Sequence, residues 1–194
     1  MVKLLFDLYG VLMRLASAEQ RAELERFLAP PDPQRFWEAY QECRPAYDAG
    51  TISDVRYWER IGAVAQLSDF DVRRAIELDT EPFLDSDPHM VTLLRELIGQ
   101  GYSVGILSNI PTTLSQRVRE KHTWLEDCAA VTFSCDIGVA KPELEAYRVA
   151  VDALGANPKD TLFFDDTPSY VAGAQAAGLD AHLFQGPDTV LSQL

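Results

Sequence analysis

Five short apolar runs, each bounded by turn residues, recur along the chain: Val2 to Phe6, Ser103 to Leu107, Ala129 to Phe133, Thr161 to Phe164 and Ala181 to Phe184. Runs this short and uniformly apolar suit β-strands buried on both faces, since a half-exposed strand would alternate with polar residues. Helical signals separate most of them. Asp87-Pro88 opens a pattern that runs to about Gln100, with Gly101 as its stop, because proline fits the first helical position and glycine the end. Pro111, Pro142 and Pro168 open three more, ending near Lys121, Gly155 and Gly178. Strands alternating with helices predict an α/β fold, a doubly wound parallel sheet covered on both sides.

One stretch breaks this rhythm. From about Arg14 to Leu84 no buried strand pattern occurs. Ser17-x-x-Gln20 has the form of a capping box, Asp32-Pro33 opens a helix with Phe36, Trp37 and Tyr40, and Ser53 opens another with Tyr57, Trp58 and Ile61. Ser68-x-x-Asp71 opens a fourth. The expected organisation is an α/β core of residues 1–14 plus 85–194, interrupted by a helical insertion over 15–84 whose aromatics form a small core of their own.

The formal charge is −13 over 194 residues. A surface this acidic repels nucleic-acid phosphates and acidic lipid, so neither nucleic acid nor membrane is an expected partner, and no apolar run approaches membrane-span length. Cys43, Cys128 and Cys135 form no CxxC pair. The apolar start, Met1 to Met13, carries Asp7 in its middle and no small-residue cleavage site. Both features predict a cytoplasmic protein. Oligomeric state, monomer or homodimer, is left open.

Open parallel sheets bind ligands beyond the carboxyl ends of their strands. The residues at those ends are Asp7, Ser108-Asn109, Ser134, Asp165-Asp166 and Gln185. A carboxylate such as Asp7 can ligate magnesium or attack an electrophile, though alone it is ordinary turn chemistry. Asp165 and Asp166 repel each other, and a cation between them and Asp7 would offset that cost; one of them could equally cap the helix at Pro168. A hydroxyl and backbone N–H groups at Ser108-Asn109 suit a phosphate seat or a helix cap. Lys141, in Val139-Ala140-Lys141-Pro142 at a helix opening, is disfavoured by the dipole unless an anion lies between.

Together these segments resemble the four motifs of the haloacid dehalogenase superfamily. Motif one is Leu5-Phe6-Asp7-Leu8-Tyr9-Gly10-Val11-Leu12, motif two Ile106-Leu107-Ser108-Asn109, motif three Lys141-Pro142, and motif four Phe163-Phe164-Asp165-Asp166-Thr167-Pro168. The helical insertion resembles that superfamily's small cap. Within it Arg44-Pro45-Ala46-Tyr47-Asp48-Ala49-Gly50 and Tyr57-Trp58 resemble the subgroup of the bacterial glucose-1-phosphate phosphatase.

The resemblance implies a Rossmann-like core and a magnesium (Mg2+)-dependent phosphatase acting on a small-molecule phosphate ester, sugar phosphates included. Asp7 would be the nucleophile, forming an aspartyl-phosphate. Asp7, the Tyr9 carbonyl, Asp165 and Asp166 would hold the metal, while Ser108, Asn109 and Lys141 would bind the phosphoryl group. Tyr9 stands where such phosphatases usually carry an aspartate as general acid and base, and a phenol with a reference pKa of ~10 suits that task poorly. Asp7-Leu8-Tyr9-Gly10 is also the motif of haloacid dehalogenases, which use no metal. A 2-haloacid dehalogenase, or a non-catalytic phosphate-binding protein on the same scaffold, is therefore the alternative. The Asp165-Asp166 pair favours the metal-dependent phosphatase on electrostatic grounds.

Overall fold

A computed structural model describes residues 2–194; Met1, where the expected core begins, lies outside them. β1 (Lys3–Phe6) occupies the centre of a five-stranded sheet with β2 (Ser103–Ser108), β3 (Ala130–Phe133), β4 (Thr161–Asp165) and β5 (Asp180–Leu183). The order is β3-β2-β1-β4-β5 and every pairing is parallel. Successive side chains of a strand face opposite ways. Leu4 and Phe6 accordingly join one core cluster while Leu5 joins the other.

Four helices, α1 (Ala18–Leu28), α2 (Pro33–Asp48), α3 (Asp54–Ala65) and α4 (Val72–Thr80), fill the connection from β1 to β2, followed by α5 (Pro88–Gly99). The rest of the chain adds α6 (Thr112–Lys121), the single turn α7 (Ser134–Ile137), α8 (Leu144–Ala153), α9 (Pro168–Ala176) and α10 (Pro187–Leu191). Residues of α5, α6 and α10 pack with Leu4 and Phe6 on one sheet face, and α8 and α9 with Leu5 on the other. The sheet is thus wound on both sides, as the apolar runs predict.

The four inserted helices have a separate core of Leu24, Phe36, Tyr47, Trp58, Ile61 and Ala75 among others. Tyr47 stacks on Tyr57 with centroids 4.1 Å apart, so these rings pack the insert. Ser17 and Gln20 form the expected reciprocal cap, and Asp32 and Ser53 cap α2 and α3. A tie to the α/β core runs through Ser134, whose hydroxyl donates to the Asp48 carbonyl at 2.5 Å and accepts from the Ile110 N–H at 2.9 Å.

Three local expectations differ from the structure. Helix α4 is capped by Asp71, which accepts from the Arg73 and Arg74 N–H groups, and so starts after Ser68 rather than from it. Helix α8 starts at Leu144, not Pro142; Lys141 precedes a cis Pro142 and lies outside the helix, so its setting is not a helix dipole. β5 is an edge strand, and Asp180 and Leu183 on it are exposed, so it is not buried on both faces. Among the described residues no helix is long and apolar enough to cross a membrane.

Candidate active site

The strand order brings the site together. β1 lies between β2 and β4, so Asp7, Asn109 and Asp165 leave the sheet side by side where its winding reverses. The Asp7 N–H donates to the Phe164 carbonyl at 2.9 Å, extending the β1–β4 ladder to the nucleophile candidate itself. Asp7, Asp165 and Asp166 each offer a carboxylate oxygen within 4.8 Å of the others.

Lys141 holds this group together. Its Nζ is 2.8 Å from Asp7 Oδ1 and 2.5 Å from Asp165 Oδ2, and all three side chains are buried. Burial alone would lower the Lys141 ammonium, but Asp7 and Asp165 outweigh it and hold the group above its ordinary value. One cation facing two carboxylates leaves a buried excess of negative charge. Burial therefore pushes the Asp7 carboxyl up to about 7, opposed by Lys141 and reinforced by Asp165. The second Asp165 oxygen accepts from the Thr167 N–H at 2.8 Å, so both oxygens of Asp165 are engaged. Asp166 is different. It is half-buried, has no cation partner among the described residues, and accepts only from the Thr167 hydroxyl, at 3.1 Å. Gly10, at φ +82°, leaves it room: a Cβ there would land on the Asp166 carboxylate.

The Asn109 side chain is engaged within the protein. Its amide is committed to the main chain of Lys141, donating to the carbonyl at 2.8 Å and accepting from the N–H at 2.8 Å. Asn109 lines the cavity while its side chain fixes the main chain of Lys141. Ser108 is fully buried, and its hydroxyl has only a 3.5 Å approach to the Asn109 carbonyl, too long for a good hydrogen bond. The Tyr9 hydroxyl is buried without a partner, and its ring packs edge-on to Phe83 at 5.4 Å. Burial raises this phenol well above its ordinary value. A phenol held protonated in this way agrees with the expectation that Tyr9 is a poor proton-transfer group, and its ring forms part of the cavity wall. Gln185, at the end of β5, is exposed and lines no part of the site.

A cavity of about 380 Å³ opens over these groups between the α/β core and the inserted helices, lined by Asp7, Lys141 and Asp166 on one side and Trp37, Tyr40 and Arg44 on the other. Arg44 Nε lies 2.9 Å from Asp48 Oδ1, and its Nη1 lies 3.6 Å from Asp79 Oδ2 and 3.0 Å from the Tyr40 hydroxyl. The Tyr40 hydroxyl donates to Asp79 at 2.5 Å. Burial pushes Asp48 up to about 6 against the pull of Arg44, and raises Asp79 as well. The motif from Arg44 to Gly50 contains both Arg44 and Asp48, but neither their pairing nor the part played by Asp79 was read from it. The i,i+4 spacing of Arg44 and Asp48 was a usable signal; Asp79 had none. Tyr47 and Trp58, which share in the resemblance to the glucose-1-phosphate phosphatase subgroup, are fully buried and line no part of the cavity.

A sequence model described as a haloacid dehalogenase-like hydrolase matches residues 4–178. The chain belongs to that hydrolase family. Among curated proteins the chain is similar to a phosphatase of Mycobacterium tuberculosis, 36% identical over 56% of this chain and 50% of its own length. It is also similar to a sesquiterpene phosphatase of Aspergillus oryzae, 29% identical over 69% of this chain and 67% of its own length. The match thus spans about half of the first and two thirds of the second. Among solved structures, a haloacid dehalogenase family enzyme of Bacteroides thetaiotaomicron superposes with a TM-score of 0.83 at 21% identity, covering 100% of this chain and 98% of that one. The same enzyme has been crystallised with magnesium and inorganic phosphate. At that identity the likeness establishes the shared fold.

Proposed function

We propose that this hydrolase is a magnesium-dependent phosphatase for a small phosphorylated metabolite, with Asp7 as nucleophile. The observation that carries the reading is the unpaired Asp166 carboxylate beside the Asp7–Lys141–Asp165 group. Three carboxylates facing the single positive charge of Lys141 leave two negative charges over, and hard oxygen donors with that excess fit magnesium, which favours carboxylates and water. Asp7, Asp166 and the Tyr9 carbonyl would hold the ion, with Asp165 acting from behind through Lys141. When bound, magnesium supplies charge stabilisation for the transferring phosphoryl group and lowers the repulsion around Asp7. The magnesium and phosphate of the Bacteroides enzyme and the phosphatase names of both curated relatives support this reading.

The chain's own residues carry the rest. Asp7, ionised beside Lys141, attacks phosphorus; the P–O bond to the alcohol breaks and the alkoxide takes a proton from water. Water then attacks the aspartyl-phosphate, releasing phosphate and restoring Asp7. Lys141 faces the developing charge on the phosphoryl oxygens, and the Ser108 hydroxyl, lacking a short partner, is the second donor. The Tyr9 phenol gives no proton, so the departing alkoxide relies on water for its proton and turnover is slow. The inserted helices act as a cap that encloses the ester, and the three free cysteines support a cytoplasmic setting.

Asp7-Leu8-Tyr9-Gly10 also favours a second reading, halide displacement from a 2-haloacid. Asp166 counts against it, because an unpaired carboxylate repels the substrate's own. Phosphate release from acetyl phosphate and a panel of monoesters separates the readings. The expected result is turnover that needs magnesium and is lost in Asp7→Asn. Turnover that survives a chelator, or halide release from 2-chloropropionate without metal, would overturn the phosphatase reading.

A further inference from the structure

The cavity's walls differ sharply in chemistry. The insert and its connections contribute Leu15, Leu24, Trp37, Leu78, Pro82 and Phe83. Leu15 is 49% exposed, and Trp37, Leu78 and Phe83 keep part of their surface open. Apolar surface left open beside a reactive group gains by covering.

Four polar groups of that wall, Tyr40, Arg44, Asp48 and Asp79, are already committed to one another, whereas Gln41, also in the lining, is exposed to solvent. Arg44 faces Asp48 and Asp79, and the Tyr40 hydroxyl donates to Asp79. Gln20 uses its carbonyl oxygen to cap Ser17. A sugar brings several hydroxyls, and each one desolvated without a partner opposes binding. A second anion would meet one guanidinium already shared by two carboxylates. Arg21 stands at the rim without a carboxylate partner among the described residues, but it is exposed, where solvent weakens its pull.

Resting on the phosphatase reading above, we propose that the substrate is the phosphate monoester of an apolar primary alcohol, an alkyl chain or aromatic ring, in preference to a sugar phosphate. The apolar moiety lies against Leu15, Leu78 and Phe83 while the phosphoryl group meets Asp7 and Lys141. The finer likeness to a sugar-phosphate enzyme rests partly on Tyr47, Tyr57 and Trp58, which are buried in the insert and do not line the cavity.

The test is kcat/KM of the magnesium-loaded enzyme for hexyl phosphate and 2-phenylethyl phosphate against glucose 6-phosphate and phosphoglycolate. All four are esters of primary alcohols, which keeps leaving-group chemistry comparable. The expected result is a preference of about tenfold or more for the two apolar esters, narrowed in both Leu15→Gln and Leu78→Gln through a raised KM. Both substitutions fall on partly exposed side chains, and a thermal melt of each checks the fold. Equal or better turnover of glucose 6-phosphate or phosphoglycolate would overturn the proposal, as would a preference unmoved in both variants. Acetyl phosphate distinguishes the two levels. If it is hydrolysed without the apolar preference, only the substrate class fails; if neither it nor any ester is hydrolysed, the phosphatase reading fails and takes the substrate class with it.

Discussion

The carboxylate of Asp166 occupies the space that a Cβ on Gly10 would need. A glycine in the loop after β1 is thus tied to a carboxylate at the end of β4. Gly10 also sits at φ +82°, a region that L side chains adopt only with strain. Gly10→Ala is expected to destabilise the fold by about 1–3 kcal/mol and to raise the magnesium concentration for half-maximal activity. Chemical denaturation and a magnesium titration check the two effects; a variant as stable and as metal-responsive as the parent would show that Asp166 is not fixed by Gly10.

Lys141 is the only cation within salt-bridge distance of Asp7 and Asp165 among the described residues. Lys141→Met removes it and leaves two buried carboxylates facing each other. Breaking one side of a buried charge pair costs about 3–5 kcal/mol, so a large loss of stability is expected, with activity down by about 10²-fold or more where the variant still folds. Urea denaturation and initial rates measure both.

Tyr9→Phe deletes a buried hydroxyl that has no partner. An unsatisfied buried polar group opposes folding, so stability is expected to stay level or rise slightly. The rate on acetyl phosphate should stay within about threefold, against the 10²–10⁴-fold typical of a lost general acid. A hundredfold fall in kcat would mean that the phenol does transfer a proton.

Asp48 gives a pH dependence with a definite sign. Burial places its folded value at about 6, above the ordinary 3.8. The folded state therefore binds the proton more tightly, and stability from this group is greatest below about pH 4 and is lost as pH rises to about 6. The difference in unfolding free energy between wild type and Asp48→Asn should fall across that window, by at most about 1.4 kcal/mol per pH unit for one proton, and then level off. A difference that rises with pH there would reverse the assignment.

The strands and most helix starts were readable because their signals are local. An uninterrupted apolar run, a proline at a helix opening and a capping serine need no tertiary information. β5 escaped because its edge position, not its composition, exposes Asp180 and Leu183. The site was readable as a set, since Asp7, Asp165 and Asp166 end strands that the winding makes neighbours. The commitment of Asn109 to Lys141, across 32 positions, could not be read in advance: an asparagine at a strand end looks the same whether it holds a ligand or a main chain. The Arg44–Asp79 contact is likewise a product of helix packing within the insert.

Every step proposed for this site passes through a phosphorylated Asp7. The direct measurement is borohydride reduction of the enzyme quenched during turnover of acetyl phosphate with magnesium, followed by peptide mass spectrometry. An acyl-phosphate on Asp7 is reduced to homoserine, and that conversion is expected at position 7 and nowhere else, absent when magnesium is withheld. Continued phosphate release with Asp7 recovered unmodified under the same quench would rule out Asp7 as the nucleophile.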